Sequence, residues 1–182
     1  MLFAAAAPVF ACSPENGTFT QYIFGITTNP GTARTEGNVQ CVTDFSFISY
    51  LYGAPWGNSI SSLMKGCYEI NTVSLTGNMV AFAVDTYAKG TIQGVIIDKF
   101  DGLGMYTYNG PTLTFALNGV TYTVTQGMVV FGLLDNSFAF KHGTTGWLRG
   151  VSTTETTEGV TIVAGPLAGL GIETAAVTYC FP

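Results

Sequence analysis

The segment "PTLTFALNGVTYTVTQ", Pro111 to Gln126, constrains the fold more than any other. Apolar and polar residues alternate on either side of Asn118-Gly119, and both central positions of a two-residue type I′ turn need positive φ, which Asn and Gly adopt most readily. With the turn fixed there, Leu117 faces Val120, Phe115 faces Tyr122 and Leu113 faces Val124 on one side. Thr114, Ala116, Thr121, Thr123 and Thr125 take the other. The segment is a hairpin with an apolar face and a threonine face.

The same punctuation extends along the chain. Asn109-Gly110 in "GMYTYNGPTL" predicts a preceding turn, giving a three-strand meander over Gly104 to Tyr108, Thr112 to Leu117 and Val120 to Gln126. "MVVFGLLDNSFAF" reads as a hairpin turning at Asp135-Asn136. "TFTQYIFGI", "NVQCVTDFSFISYLY", "CYEINTVSL", "MVAFAVDTY", "TIQGVIID", "GVTIVAG" and "ETAAVTYCF" supply further strands, while "SISSLMKG" reads as a helical turn. Thr contributes 26 of 182 residues, and the other β-branched and aromatic types add 49 more, a bias that suits pleated surfaces. About ten short strands at this spacing indicate an all-β sandwich, jelly roll or barrel.

Charged residues make up only 9% of the chain, against a usual figure of about 25%. Net charge is −5, and the six basic residues (Arg34, Lys65, Lys89, Lys99, Lys141, Arg149) are scattered. Nucleic-acid binding needs a concentrated basic footprint, so it is not expected. Four cysteines, at positions 12, 41, 67 and 180, include no close pair of the zinc-ribbon kind. They read instead as disulfides, which places the chain outside a reducing cytosol. Of the three connectivities, Cys12 with Cys180 and Cys41 with Cys67 is favoured, because the first bond would fasten both ends of the domain together. The sequon at Asn16, "NGT", permits glycosylation there.

No catalytic signature emerges. His142, the only histidine, follows a strand and precedes a glycine loop, which predicts a surface or edge position. Glu69 and Asp85 lie inside predicted strands and are expected to face solvent; a carboxylate pair across a cleft could otherwise serve glycoside hydrolysis. "DKFDG", Asp98 to Gly102, offers oxygen ligands for calcium without the spacing of an EF-hand. No G-x-S-x-G elbow or phosphate-binding glycine loop occurs. The aromatic run "SYLYGAPWGNS" could form a sugar platform, though such residues more often fill a core. The expectation is a non-enzyme with no catalytic residues, no metal and no cofactor.

The apolar opening "MLFAAAAPVFAC" remains to be explained. A secretory signal begins with basic residues, and none precedes Arg34. A transmembrane helix needs roughly 20 apolar residues; Pro8 interrupts this run and Ser13, Pro14 and Glu15 end it. No stable membrane span is therefore expected. Extended, the stretch would reach roughly 35 Å at about 3.3 Å per residue, enough to lie along a neighbouring sheet. Strand addition would satisfy its backbone, and burying five or six of its side chains would contribute on the order of 10 kcal/mol before ordering and docking costs. Such a head-to-tail contact generates an open filament.

The apolar "MLFAAAAPVFA", the Thr-rich, charge-poor body and the cysteines resemble a class of extracellular filament subunits: the threads and bundling pili of hyperthermophilic archaea and the biofilm fibre subunit TasA. That resemblance implies a jelly-roll-like β-sandwich with an extended N-terminal donor strand, Met1, Leu2, Phe3, Ala4, Ala5, Ala6, Ala7, Pro8, Val9, Phe10 and Ala11, followed by a single β-sandwich domain over 12–182. The partners would be copies of the chain itself in a head-to-tail polymer at the cell surface. The alternatives are a secreted β-barrel or sandwich binding a carbohydrate or small apolar ligand, and a secreted hydrolase with a carboxylate pair.

Overall fold

The computed structural model describes residues 16–182. Strand β1 (Gly17–Asn29) is followed by β2 (Thr32–Glu36) and returns as β3 (Val39–Tyr52); β4 (Ser59–Asn71), β5 (Thr76–Tyr87) and β6 (Gly90–Thr107) continue the run. A short hairpin, β7 (Leu113–Leu117) and β8 (Val120–Val124), interrupts it before β9 (Val129–Thr144), β10 (Ser152–Ile162) and β11 (Leu170–Cys180). Neighbouring strands pair antiparallel throughout. A 3-10 turn at Gly146–Leu148 is the only helical element among the described residues.

The jelly-roll-like sandwich expected from the sequence is not what forms. Strand β1 pairs with β11 on one side and with β3 on the other, closing β1, β11, β10, β9, β6, β5, β4 and β3 into an eight-stranded barrel. The closing register runs from Gly17 opposite Tyr179 to Ile26 opposite Leu170. Beyond Pro30 and Gly31 the chain continues as β2 along the same edge of β3. Gly31 is required at that break, because its φ is +76° and a Cβ there would lie 2.4 Å from the Thr43 carbonyl oxygen. Every strand of the ring has a partner on both sides, so the ring itself has no open edge; β2, paired only with β3, keeps one. The described residues therefore lend no support to assembly by strand insertion. The proposed donor strand, residues 1–11, lies outside them.

Other expectations need correction. Asp135-Asn136 is not a turn; it sits within β9, a single strand of 16 residues. "SISSLMKG" belongs to β4 and is extended. The hairpin at Asn118-Gly119 forms in the expected register, with Leu117 opposite Val120, Phe115 opposite Tyr122 and Leu113 opposite Val124. Strand β6, however, pairs with β9 and not with β7, so the three-strand meander does not form.

Apolar side chains pack in three places. At one end of the barrel, Trp56 from the β3–β4 loop joins Leu51, Tyr87, Ile92, Leu148 and Val151. The Trp56 ring meets Phe19, Tyr87 and Tyr179 edge to face, at centroid distances of 5.4, 5.9 and 5.1 Å, and plugs that end. Towards the opposite end, Val42, Phe45, Met79 and Ala81 cluster with Tyr68 and Phe100. The third cluster is outside the ring: the β6–β9 ribbon overshoots the barrel, and Phe115 of its tip hairpin packs on Phe24 of β1 and Tyr50 of β3.

Candidate functional site: the barrel interior

Because side chains alternate along a strand, one face of each strand must look inward. Here the inner face of β9 carries Leu133, Asp135, Ser137, Ala139 and Lys141, while Asn136, Phe138, Phe140 and His142 look outward. Strand β6 follows the same rule, with Ile96, Asp98 and Phe100 inward and Val95, Ile97 and Lys99 outward. The polarity is thus partly inverted: acids face the lumen, and large apolar side chains face out.

A cavity of about 370 Å³ occupies the lumen. It reaches Thr72 and Leu75 of the β4–β5 turn and Gly169 before β11, at the end opposite the Trp56 plug. Its walls differ. Phe47, Leu63, Tyr68 and Met79 make an apolar side on β3, β4 and β5, whereas Asp98, Asp135, Ser137, Thr157 and Glu173 make a polar side on β6, β9, β10 and β11.

Register explains how the polar wall is assembled. Asp98 lies opposite Ser137, and Ser137 opposite Thr157, forming one inward row. In the next row Asp135 lies opposite Gly159, and Gly159 opposite Glu173. Gly159 is the gap between the two carboxylates. A Cβ there would fall 2.5 Å from Glu173 Cγ and 2.8 Å from Asp135 Oδ1. Asp98 Oδ1 accepts a hydrogen bond from the Lys99 backbone N–H at 2.7 Å, but Asp135 Oδ1, in a side chain 7% exposed, has no hydrogen-bond partner.

Burial raises the pKa of all three acids. For Asp135, burial is reinforced by the charges of Asp98 and Asp101; for Glu173, by those of Asp135, Asp98 and Glu155. Asp98 is raised chiefly by burial, with Ser137 and the Lys99 amide opposing the shift. Like charges on one low-dielectric wall disfavour simultaneous ionisation.

Deeper in the lumen is an ion triad. Lys141 Nζ is 3.2 Å from Glu155 Oε1 and 2.5 Å from Asp85 Oδ2, and Ser61 Oγ donates to Asp85 Oδ1 at 2.6 Å. Burial alone would lower the Lys141 pKa, yet Asp85 and Glu155 outweigh it and hold the ammonium charged. Glu155, pushed up by burial and by Asp85, is only partly compensated by Lys141.

The residues singled out from sequence scatter. Asp85, expected in solvent, is buried in the triad, while Glu69 is exposed. The Asp98–Gly102 segment does not gather a calcium site: Asp98 points into the lumen, and Asp101 turns outward to Lys99 and Asn136. Among the described residues no group of three His, Cys, Asp or Glu side chains could hold a metal ion. His142 is exposed and stacks on Phe140 at a centroid distance of 6.1 Å. Asn16 is exposed just before β1.

Cys41 and Cys67 are free thiols, so the expected bond between them is not made. Cys41 lies opposite Glu69 and Cys67 opposite Thr43, a diagonal placement on adjacent strands where a disulfide needs close, facing Cβ atoms. The expected Cys12–Cys180 bond depends on Cys12, outside the described residues.

Sequence reasoning missed Asp135, Glu155 and Glu173 as site residues. Their signal was an acid inside a strand of a chain with so few charges. No helix among the described residues is long and apolar enough to cross a membrane. No known protein family, curated protein or solved structure matches this chain.

Proposed function

We propose that this protein is a binding module that holds one small ligand inside its barrel. The observation that supports this reading is the lumen itself: an eight-stranded ring plugged at one end by Trp56 retains a cavity of about 370 Å³. Eight-stranded barrels are wide enough either to fill with side chains or to hold one small ligand, and pockets of roughly 300–1,000 Å³ are typical of ligand sites. An apolar wall facing a polar one would bind and orient an amphiphilic molecule.

The test is titration with Nile red, a neutral solvatochromic dye, monitored by emission. The expected result is a saturable blue-shifted signal with one site per chain. Leu63→Trp, which places a large ring in the lumen, should abolish that signal while leaving the β-sheet circular dichroism intact. Binding that survives this substitution, or that never saturates, would place the dye on the outer apolar surface and reject the reading.

A further inference from the structure

We infer that the ligand of this cavity is an organic cation carrying N–H donors, a protonated amine with an apolar body, whose head is received by Asp98, Asp135 and Glu173. The inference rests on the binding-module reading and specifies its ligand class.

Three observations converge. The polar wall presents three carboxyl groups on adjacent inward rows, with Asp135 and Glu173 flanking the side-chain gap at Gly159. Lys141, the buried cation among the described residues, is already held by Asp85 and Glu155. Finally, Asp135 Oδ1 is buried, lines the cavity and accepts no hydrogen bond. A buried acceptor without a donor is costly, and native structures seldom leave one unless something else supplies the donor.

The chemistry of the wall selects the head group. Carboxylates offer acceptors, so they favour a group that brings both positive charge and several N–H donors; an ammonium supplies three. A quaternary ammonium has charge but no donor for Asp135. An anionic head would set further negative charge against acids whose ionisation burial and their neighbours already oppose. The metal alternative fails for lack of a suitable ligand group among the described residues. Opposite the acids, Phe47, Leu63 and Met79 accept an alkyl or aryl body.

Isothermal titration of the full chain at pH 7 with n-octylamine, n-octanol and octanoate tests the inference, since the three probes share one apolar body and differ in the head. Octylamine should bind at least about tenfold more tightly than octanol, the range expected for charge-assisted hydrogen bonds, and octanoate should bind weakest. Asp135→Asn and, separately, Asp98→Asn should erase the amine's advantage over octanol, the amine losing far more affinity than the alcohol. Octanol or octanoate binding as tightly as the amine, or an undiminished amine preference in both variants, would overturn the cation assignment and leave the binding module standing. If no probe binds or displaces Nile red while the dye still fills the lumen, the cation assignment falls alone; if Nile red fails its own test as well, both readings fall.

Discussion

Lys141 on β9 reaches Asp85 on β5, Nζ to Oδ2 at 2.5 Å, although β6 runs between the two strands. The crossing is possible because the β6 residue opposite Lys141 is Gly94, which places no side chain in the way. A charge so enclosed has no recourse to water. Removing it leaves two buried carboxylates uncompensated, a loss that typically costs about 3–5 kcal/mol. Lys141→Met should therefore lower the urea midpoint sharply, and the triple variant Asp85→Asn/Lys141→Met/Glu155→Gln should recover most of the loss. A single variant as stable as the parent would mean that the triad contributes nothing to holding the barrel.

The acid wall predicts an unusual pH dependence. Asp98, Asp135 and Glu173 have folded pKa values raised above the unfolded references of about 3.9 and 4.3, so between the two values the native state binds more protons than the unfolded one. Their contribution to stability is complete below about pH 4 and declines as pH rises through the raised folded values. Asp135→Asn removes one charge from the wall. It should raise the melting temperature at pH 7 by several degrees, taking about 1–2 kcal/mol at about 2–4 °C per kcal/mol. At pH 4 the difference should shrink. An equal shift at both pH values would show that Asp135 is not titrating against its neighbours.

The sequence pattern identifies strands well and their closure poorly, for a physical reason. The Asn118-Gly119 hairpin is local, so its register follows from turn chemistry alone. Closure depends on Gly17 meeting Tyr179 and Tyr22 meeting Tyr52, non-local pairings that leave no mark on the intervening residues. Alternation is equally silent about which face looks inward. In a sandwich the apolar face would be the inner one, yet Val95, Ile97, Phe138 and Phe140 look out here while Asp98 and Asp135 look in. Asp135-Asn136 carried turn composition, but its acid belongs to the lumen of a continuous strand. The clasp of Phe115 on Phe24 was likewise hidden, because nothing in the hairpin says what its apolar face will cover.

Gly94 offers a separate test of the barrel's construction. A Cβ at this position would lie 2.1 Å from the Phe140 carbonyl oxygen, within the irregular register where β6 passes β9. That backbone cannot yield without breaking the ladder, so Gly94→Ala should cost about 3 kcal/mol or more. Gly119→Ala is the control: its Cβ would meet nothing within 4 Å, and only the φ of +78° is unfavourable. The control should lose about 1–2 kcal/mol. Chemical denaturation of both variants checks the order, and equal losses would contradict so close an approach of the two strands.

The outer hairpin should be separable from the ring. Phe115 packs against Phe24 at 4.6 Å, stacks on Tyr50 at 5.1 Å and neighbours Tyr122 at 5.7 Å. Truncating so buried an aromatic typically costs about 3–5 kcal/mol. The strands β7 and β8 pair only with each other, whereas every ring strand has partners on both sides. In Phe115→Ala the loss should consequently concentrate in the hairpin, where local opening needs no ring bond to break. Hydrogen exchange should show amides of Leu113–Leu117 and Val120–Val124 losing protection while those of β4 and β5 keep theirs. Nile red should bind the variant as it binds the parent, since Phe115 lies outside the wall that surrounds the cavity. Uniform loss of protection would instead make the hairpin a cooperative part of barrel closure, with the contacts of Phe115 on β1 and β3 holding the seam shut.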